Sequence, residues 1–414
     1  MGNFSAYQCS LCGQSYTADQ VEYVCPEDGG NLDIVLDYAA IQTGSDPDEI
    51  RAAGEYSMWR YLPLLPVGDP GFVGTPLRAV GWTPVYAPPR LAAELGVKSV
   101  WVKDESRNPT ASFKDRASAL VVARARELSA EVIVTASSGN AGAALAGMAA
   151  AVGQQTVILV PKSAPPAKIA QLLVYGAQVL LVDGNYDDAF DLSLEASQEF
   201  GWYCRNTGYN PFTLEGKKTA AYEIWEQVLC AANPERPLCI FVSVGDGNII
   251  AGLHKGFKEL HALGWLAQMP RIFGVQAQGS AAVAHAYQAG VENIQAVSAD
   301  TLADSIAVDL PRDGLRALRA ATQTGGAYLT VSDDEILQAI SALGRAGIFA
   351  EPAAAASYAG LSQAVAAGQI AQHDPVLALV TGSGLKDVHA AMQAAGNAAV
   401  IVPTLEALKK AVKK

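Results

Sequence analysis

The sequence predicts an α/β protein built on parallel sheets, and three of its features carry that expectation. Seven short runs, "SVWVKD", "EVIVTAS", "QTVILVP", "QVLLVD", "LCIFVSVG", "RIFGVQA" and "PVLALVTG", are almost wholly apolar and rich in Val, Ile and Leu, as strands buried on both faces must be. Alanine-rich stretches of helical spacing separate most of them, the alternation that links parallel strands through crossover helices. Several runs end in polar, glycine-bearing loops that lead into the next helix, where open parallel sheets bind their ligands.

The 414 residues are 50% hydrophobic, enough for two or three packed domains. Acidic residues outnumber basic ones by 41 to 29, and the net charge of -12 opposes phosphate backbones and anionic lipid. The one basic run, "KKAVKK", stands at the C-terminus. The opening "MGNFSAY" lacks a charged stretch followed by an apolar one, and Ala6 stands where a myristoylation signal wants Ser or Thr. The longest small-apolar run, "AGAALAGMAAAVG", falls short of the about 20 residues that cross a bilayer. These features lead to the expectation of a soluble cytoplasmic protein with no membrane or nucleic-acid partner.

In chain order, residues 1–37 come first. Cys9, Cys12 and Cys25 lie in "CSLCGQSYTADQVEYVCPEDGG", the outline of a zinc ribbon with a tight turn after each ligand pair. The second CxxC is broken near Asp28, where a fourth ligand is expected. Since carboxylates bind zinc, a site of three thiolates and one carboxylate is one reading. The preferred one is a degenerate ribbon that has lost its metal and persists as a docking piece. Ribbons also bind nucleic acid, but residues 1–50 contain no Lys or Arg, which argues against that role. Six cysteines in a chain of this length do not suggest a disulfide scaffold. Residues 38–90, rich in Pro, Gly and aromatics, read as an arm or linker lying over the rest.

The loops that follow carry the chemistry. In "NPTASFKDRAS", Lys114 sits at a helix start, where the macrodipole disfavours a cation. In "VTASSGNAGAALAG", Ser137, Ser138, Gly139 and Asn140 precede a helix. Their backbone N–H groups can hold a carboxylate and Asn140 can donate to a phenolic oxygen, although for this loop taken alone an N-cap serine pair with a turn glycine is the preferred reading. In "SVGDGNIIAGLHKGF", Gly245, Asp246, Gly247 and Asn248 open a helix and form a candidate phosphate cradle, with Asp246 an awkward neighbour unless its side chain turns away. "LVTGSGLKDVHAA" places Thr381 at another strand end. A lysine that forms an imine, a phosphate cradle, a donor for a ring oxygen and a hydroxyl for a ring nitrogen are together the parts that hold pyridoxal phosphate.

From about Leu91 to the C-terminus the sequence resembles the fold-type II pyridoxal-phosphate enzymes, and specifically the threonine synthase family. "VKDESRNPTASFKDRAS" is similar to the family's lysine motif, "SSGNAG" to its substrate-carboxylate loop, "VGDGN" to its phosphate loop and "TGSGLKD" to its ring-nitrogen motif. "GIFAEPAAAASYAGL" is similar to a segment behind the cofactor. The resemblance implies two doubly wound parallel-sheet domains with pyridoxal 5'-phosphate in the cleft. The large domain takes residues 91–107 and 205–414, and the small one residues 108–204. Lys114 would carry the cofactor and shuttle protons, Phe113 would support the ring, and Asn140 would bond its O3'. Gly245, Asp246, Gly247, Asn248 and Ile249 would hold the phosphate through their N–H groups, and Thr381 would face the pyridine nitrogen. Ser137, Ser138, Gly139 and Asn140 would take the substrate's carboxylate. The implied reaction converts O-phosphohomoserine and water to L-threonine and phosphate by γ-elimination and β-addition, in a homodimer.

Several positions depart from the family pattern. "VGWTP" has Val80 where a glutamate is usual, "NPFTLEGKKT" has Thr213 where an arginine contacts the leaving phosphate, and Ala111 and Ala117 replace glycines. A buried dianion that loses its cation is destabilised unless another charge replaces it. Lys217 and Lys218 are the candidates, ahead of Arg116 and Lys168, although both also read as ordinary solvated helix lysines. The other reading of these departures is a serine or threonine dehydratase, or a β-replacement enzyme resembling cysteate synthase.

Overall fold

A computed structural model describes residues 3–164 and 166–412, so Met1, Gly2, Pro165 and the terminal Lys413 and Lys414 lie outside the described residues. The chain opens with β1 (Phe4–Cys9), β2 (Ser15–Tyr16) and β3 (Leu32–Leu36), an antiparallel sheet of order β2-β1-β3. Burial alternates along β3, so that Leu32, Ile34 and Leu36 turn one face inward. That face joins the main apolar core.

Residues 38–90 do more than lie over the rest. Two short helices, Tyr38–Gly44 and Pro47–Ala52, are capped by Asp37 and Asp46, and a 3-10 segment, Met58–Leu64, is capped by Ser57. Met58, Trp59, Tyr61 and Leu64 are all at most 1% exposed, so this segment forms a wall of the core. The indole of Trp59 donates to the Leu77 carbonyl at 3.0 Å, which satisfies its polar edge inside that wall. Irregular backbone has no hydrophobic period, and the sequence therefore hides this burial.

Ten further strands follow: β4 (Val85–Tyr86), β5 (Val100–Asp104), β6 (Val132–Ala136), β7 (Gln155–Pro161), β8 (Gln178–Val182), β9 (Tyr203–Cys204), β10 (Cys239–Ser243), β11 (Arg271–Ala277), β12 (Tyr328–Val331) and β13 (Val376–Val380). All seven apolar runs are strands. One sheet has the order β12-β11-β10-β13-β5-β4 and is parallel except for β4, which runs antiparallel to β5. The other is parallel, of order β8-β7-β6-β9. Fold class and sheet type thus agree with the sequence. Among the described residues, no helix is long and apolar enough to cross a membrane.

Three helices pack closely enough to need glycine at their crossings. A Cβ on Gly216, in Phe212–Ile224, would meet the Arg116 carbonyl oxygen of helix Lys114–Glu127. A Cβ on Gly256, in Asn248–Ala262, would lie 2.6 Å from the Lys218 carbonyl oxygen. Ala117, where a glycine is usual, is accommodated because the partner helix supplies the glycine instead. These close crossings bring residues 213–218 up to the start of helix Asn248–Ala262.

Candidate active site

The sheet order explains why distant loops meet. β13 lies between β10 and β5, so the loops after these three strands are neighbours, and all open at the strands' carboxyl ends. Backbone bonds then tie them together. Phe113 N–H donates to the Thr381 carbonyl at 2.8 Å, and Ser383 N–H donates to Ala111 at 3.1 Å. On the other side, Glu351 N–H donates to Gly382 at 3.1 Å. Lys114, Thr381 and Glu351 are thereby held on one three-ply segment.

These loops and those of the four-stranded sheet enclose a cavity of about 710 Å³, lined among others by Lys114, Asn140, Arg205, Lys217, Glu351 and Thr381. Lys114 is the first residue of its helix. Burial pushes its amine pKa down, while Asp246 and Glu351 pull it up. Neutral amine is the form that attacks a carbonyl and accepts a proton.

The phosphate-loop residues Gly245 to Ile249 all line this cavity. Gly247 has φ +89, and a Cβ there would lie 2.6 Å from that of Ala317. A Cβ on Gly245 would lie 2.9 Å from the Ile306 Cα. The cradle therefore admits no side chain at either position. The carboxylate of Asp246 accepts from Arg312 N–H at 3.4 Å, and burial pushes its pKa up against the pull of Lys114. Both effects mute its repulsion of an anion in the cradle.

Ser137 N–H donates to the Leu159 carbonyl at 3.1 Å, and Gly139 N–H to Ser137 Oγ at 3.3 Å. The Asn140 amide donates to both oxygens of Glu351, at 3.0 and 3.1 Å. Glu351 is 4% exposed, and burial raises its pKa. The sequence reading did not single it out, although it lies within the segment placed behind the cofactor. Gly382 makes room for it, since a Cβ there would meet Glu351 Oε1.

Not every expected residue reaches the cavity. Phe113 is fully buried behind its wall, with the Arg116 guanidinium 5.7 Å from its ring, and does not line the cavity. Lys218 points away, paired with Glu215 at 2.5 Å and Glu259 at 2.9 Å. Adjacent helical residues are rotated by about 100°, so Lys217 and Lys218 cannot both face the cavity. Arg116 is held by Glu105 at 2.7 Å and Glu223 at 2.6 Å, and is not free for a substrate. The same Glu223 accepts from Trp82 N–H, Thr83 N–H and Lys103. Val80 is fully buried in the apolar core beside this cluster. Lys168 pairs with Asp304 at 2.5 Å at a smaller adjoining cavity of about 140 Å³. Cys9, Cys12 and Cys25 gather with Asp28 in the N-terminal sheet, away from both cavities.

Besides Lys114 the cavity wall carries three cations: Arg312, part-exposed and paired with Asp187 at 2.7 Å, and two buried ones, Lys217 and Arg205. Lys217 Nζ donates to Asn248 Oδ1 at 2.5 Å, and its pKa is pushed well down by burial, then by Lys114 and Arg205. Arg205 follows β9 and is fully buried. Its Nη1 donates to Thr207 Oγ1 at 2.7 Å, while Nη2 has no partner among the described residues. Burial lowers its pKa to about 10. Sequence reasoning missed Arg205 because a two-residue strand leaves no periodic signal ahead of it.

An amine whose burial favours the neutral form, an amide cradle at a helix N-terminus and a hydroxyl at Thr381 suit a group with an aldehyde, a phosphate and a ring nitrogen. Pyridoxal phosphate therefore fits the residues present. Comparison with known proteins agrees. The family model described as "Pyridoxal-phosphate dependent enzyme" matches residues 77–382. The threonine synthase of Methanocaldococcus jannaschii is 37% identical over 410 residues, covering 98% of this chain and 99% of that one. The threonine synthase of Methanosarcina acetivorans is 36% identical over 98% of both chains. Among solved structures, threonine deaminase isoform 2 from Solanum lycopersicum superposes with a TM-score of 0.67 at 24% identity, covering 85% of this chain and 90% of that one, a likeness of fold. Sequence, site and relatives converge, and the chain belongs to the threonine synthase family of pyridoxal-phosphate dependent enzymes.

Proposed function

We propose that this chain is a threonine synthase that converts O-phosphohomoserine and water to L-threonine and phosphate, with Lys217 and Arg205 replacing the family's arginine. One observation carries the reading: the cavity wall holds two buried cations beyond Lys114, and one of them has an unpartnered donor. A single phosphate in the amide cradle does not need them. A substrate with a second phosphate does.

Bound pyridoxal phosphate supplies an electron sink that acidifies the protons next to the substrate's amino-bearing carbon. The protein's residues do the rest. Lys114, whose burial favours the neutral amine, takes and returns protons at the substrate's α and β carbons. The Ser138 and Asn140 amides, at the N-terminus of helix Asn140–Ala150, hold the substrate carboxylate, since the Ser137 amide is already used by Leu159. Lys217 and Arg205 hold the departing phosphate. The approach of that dianion offsets the burial that depresses the pKa of Lys217 and favours its protonated form.

Residues 91–107 with 205–414, and 108–204, form the large and small domains in this reading, which the partition of strands between two sheets supports. Residence in the cytoplasm is supported by six free cysteines, and a homodimer by the family resemblance. Light scattering tests the latter.

The deciding experiment assays phosphate release and threonine formation from O-phosphohomoserine, with deamination of L-serine and L-threonine run beside it. Threonine and phosphate appearing in equal amounts is the expected result. Keto acid from serine or threonine without phosphate release would overturn it and point to a dehydratase.

A further inference from the structure

The N-terminal sheet carries two turns of one design. Cys9-Ser10-Leu11-Cys12-Gly13 and Cys25-Pro26-Glu27-Asp28-Gly29 align residue for residue, with Asp28 in the place of Cys12. In the first, Gly13 N–H donates to the Cys9 carbonyl at 3.1 Å, and in the second, Gly29 N–H donates to the Cys25 carbonyl at 2.9 Å. Gly13 and Gly29 both adopt the left-handed conformation, at φ +76 and +70. The amide of the first cysteine closes each loop, Cys9 N–H on Gln14 and Cys25 N–H on Gly30, both at 2.9 Å.

The two turns face each other. One donor atom from each of Cys9, Cys12, Cys25 and Asp28 lies within 4.8 Å of all the others. Cys12 Sγ and Cys25 Sγ are 3.8 Å apart, and Cys9 Sγ is 3.3 and 3.5 Å from the two oxygens of Asp28. A tetrahedral zinc ion with Zn–S of about 2.3 Å needs its sulfurs about 3.8 Å apart, and its oxygen slightly nearer. The donors also have the outer contacts that orient metal ligands. Leu11 N–H donates to Cys9 Sγ at 3.3 Å, Tyr16 OH lies 3.0 Å from Cys25 Sγ, and Gly30 N–H donates to Asp28 Oδ1 at 2.8 Å. Gly30 has to be glycine, because a Cβ there would lie 2.7 Å from Cys9 Sγ.

From this geometry we propose that Cys9, Cys12, Cys25 and Asp28 bind one zinc ion, and that the ion fixes the ribbon as a brace for the phosphate cradle. The ribbon has not lost its metal site; a carboxylate has replaced one thiolate. The brace runs through Asn31, next to the second turn, whose amide donates to the Arg312 carbonyl at 2.9 Å and to Asp313 Oδ1 at 3.1 Å. Asp313 in turn accepts from the Asn248 amide at 2.7 Å, and its N–H donates to the Asp246 carbonyl at 2.8 Å. Arg319 reaches the first turn at the Ser10 carbonyl, 2.7 Å away. Loss of the ion releases the turns and loosens Asp246 and Asn248 from behind.

The test is metal analysis of the full-length holoprotein, purified without chelator. One zinc per chain is expected, lost in the Cys9→Ser/Cys12→Ser/Cys25→Ser variant. Replacement by Co²⁺ should give thiolate-to-cobalt charge-transfer absorption. Substoichiometric zinc, or zinc retained in the triple variant, would overturn the site. Should the triple variant fail to fold, Asp28→Cys decides: it completes a four-thiolate set and must hold zinc more tightly against a chelator than the parent. Weaker retention would remove Asp28 from the ligand set. For the brace, stripping the zinc should speed the loss of the cofactor's visible absorbance on dilution, and an unchanged rate would overturn that half.

Discussion

Thr213 and Lys217 stand one turn apart on the same face of helix Phe212–Ile224 and share one acceptor, Asn248 Oδ1, with Thr213 Oγ1 at 3.4 Å and Lys217 Nζ at 2.5 Å. In the proposed reading, Lys217 supplies, one turn along the same face, the cation that the family resemblance expects at position 213.

Lys217→Gln should lower kcat/KM for O-phosphohomoserine roughly 30-fold or more, the about 2 kcal/mol or more expected for removing a buried charged partner. The cofactor's visible absorbance should persist, because Lys114 and the cradle are intact. Adding Thr213→Arg to this variant should restore part of the loss. Loss of cofactor in place of loss of kcat/KM would assign Lys217 to the cofactor's phosphate.

Lys114→Ala should abolish the visible absorbance that a lysine-linked cofactor gives and lower turnover by about 10²- to 10⁴-fold. An absorption spectrum settles the first half without any assay. Retained absorbance would defeat the assignment.

Ala111 holds a φ of +65, pinned by Ser383 N–H on its carbonyl and by its own N–H on Asn108 at 2.8 Å. A left-handed alanine costs about 1–2 kcal/mol that glycine avoids, partly offset by the greater freedom of unfolded glycine. Ala111→Gly should therefore raise stability by about 1 kcal/mol in urea melts.

His254 is 7% exposed, and burial, reinforced by Lys258, lowers its pKa from 6.5 to about 4 while Asp33 opposes. The unfolded chain therefore binds the proton first as pH falls. Stability should be unaffected by this group above pH 6.5 and should decline between 6.5 and about 4, by about 3 kcal/mol at most. His254→Gln should flatten that part of the pH–stability curve.

Burial alone would raise the pKa of Glu223, but Arg116 and Lys103 hold it down at about 2. Glu223→Ala leaves Lys103 buried without its carboxylate and Arg116 with Glu105 alone, and should destabilise the fold by about 3–5 kcal/mol. Urea melts measure the loss.

Much of this was legible. The seven long strands announce themselves because burial on both faces demands continuous apolar runs, and the loops after them are polar for the same topological reason that places ligands there. β4, β9 and β12 were not legible, since two of them are two residues long and β12 is a four-residue edge strand. Arg205 went unseen with β9. The choice between Lys217 and Lys218 was also hidden. Every residue of their helix is buried, so it has no polar stripe from which to read an orientation. Glu215, one turn before Lys218, is a local partner, but Glu259, which also claims Lys218, and Glu223, which claims Arg116, are remote in sequence, and only packing brings them near.

The place of β13 in the main sheet sets a timetable for synthesis. Its neighbours, β10 and β5, belong to earlier parts of the chain, and the strand that joins them is residues 376–380. Until it has left the ribosome, β5 and β10 have no common partner and both keep a bare edge toward the gap. The lysine loop likewise lacks two of its ties, the bonds that run to Thr381 and Ser383. The candidate site is therefore completed almost last, and until then the nascent chain carries two unpaired apolar edges.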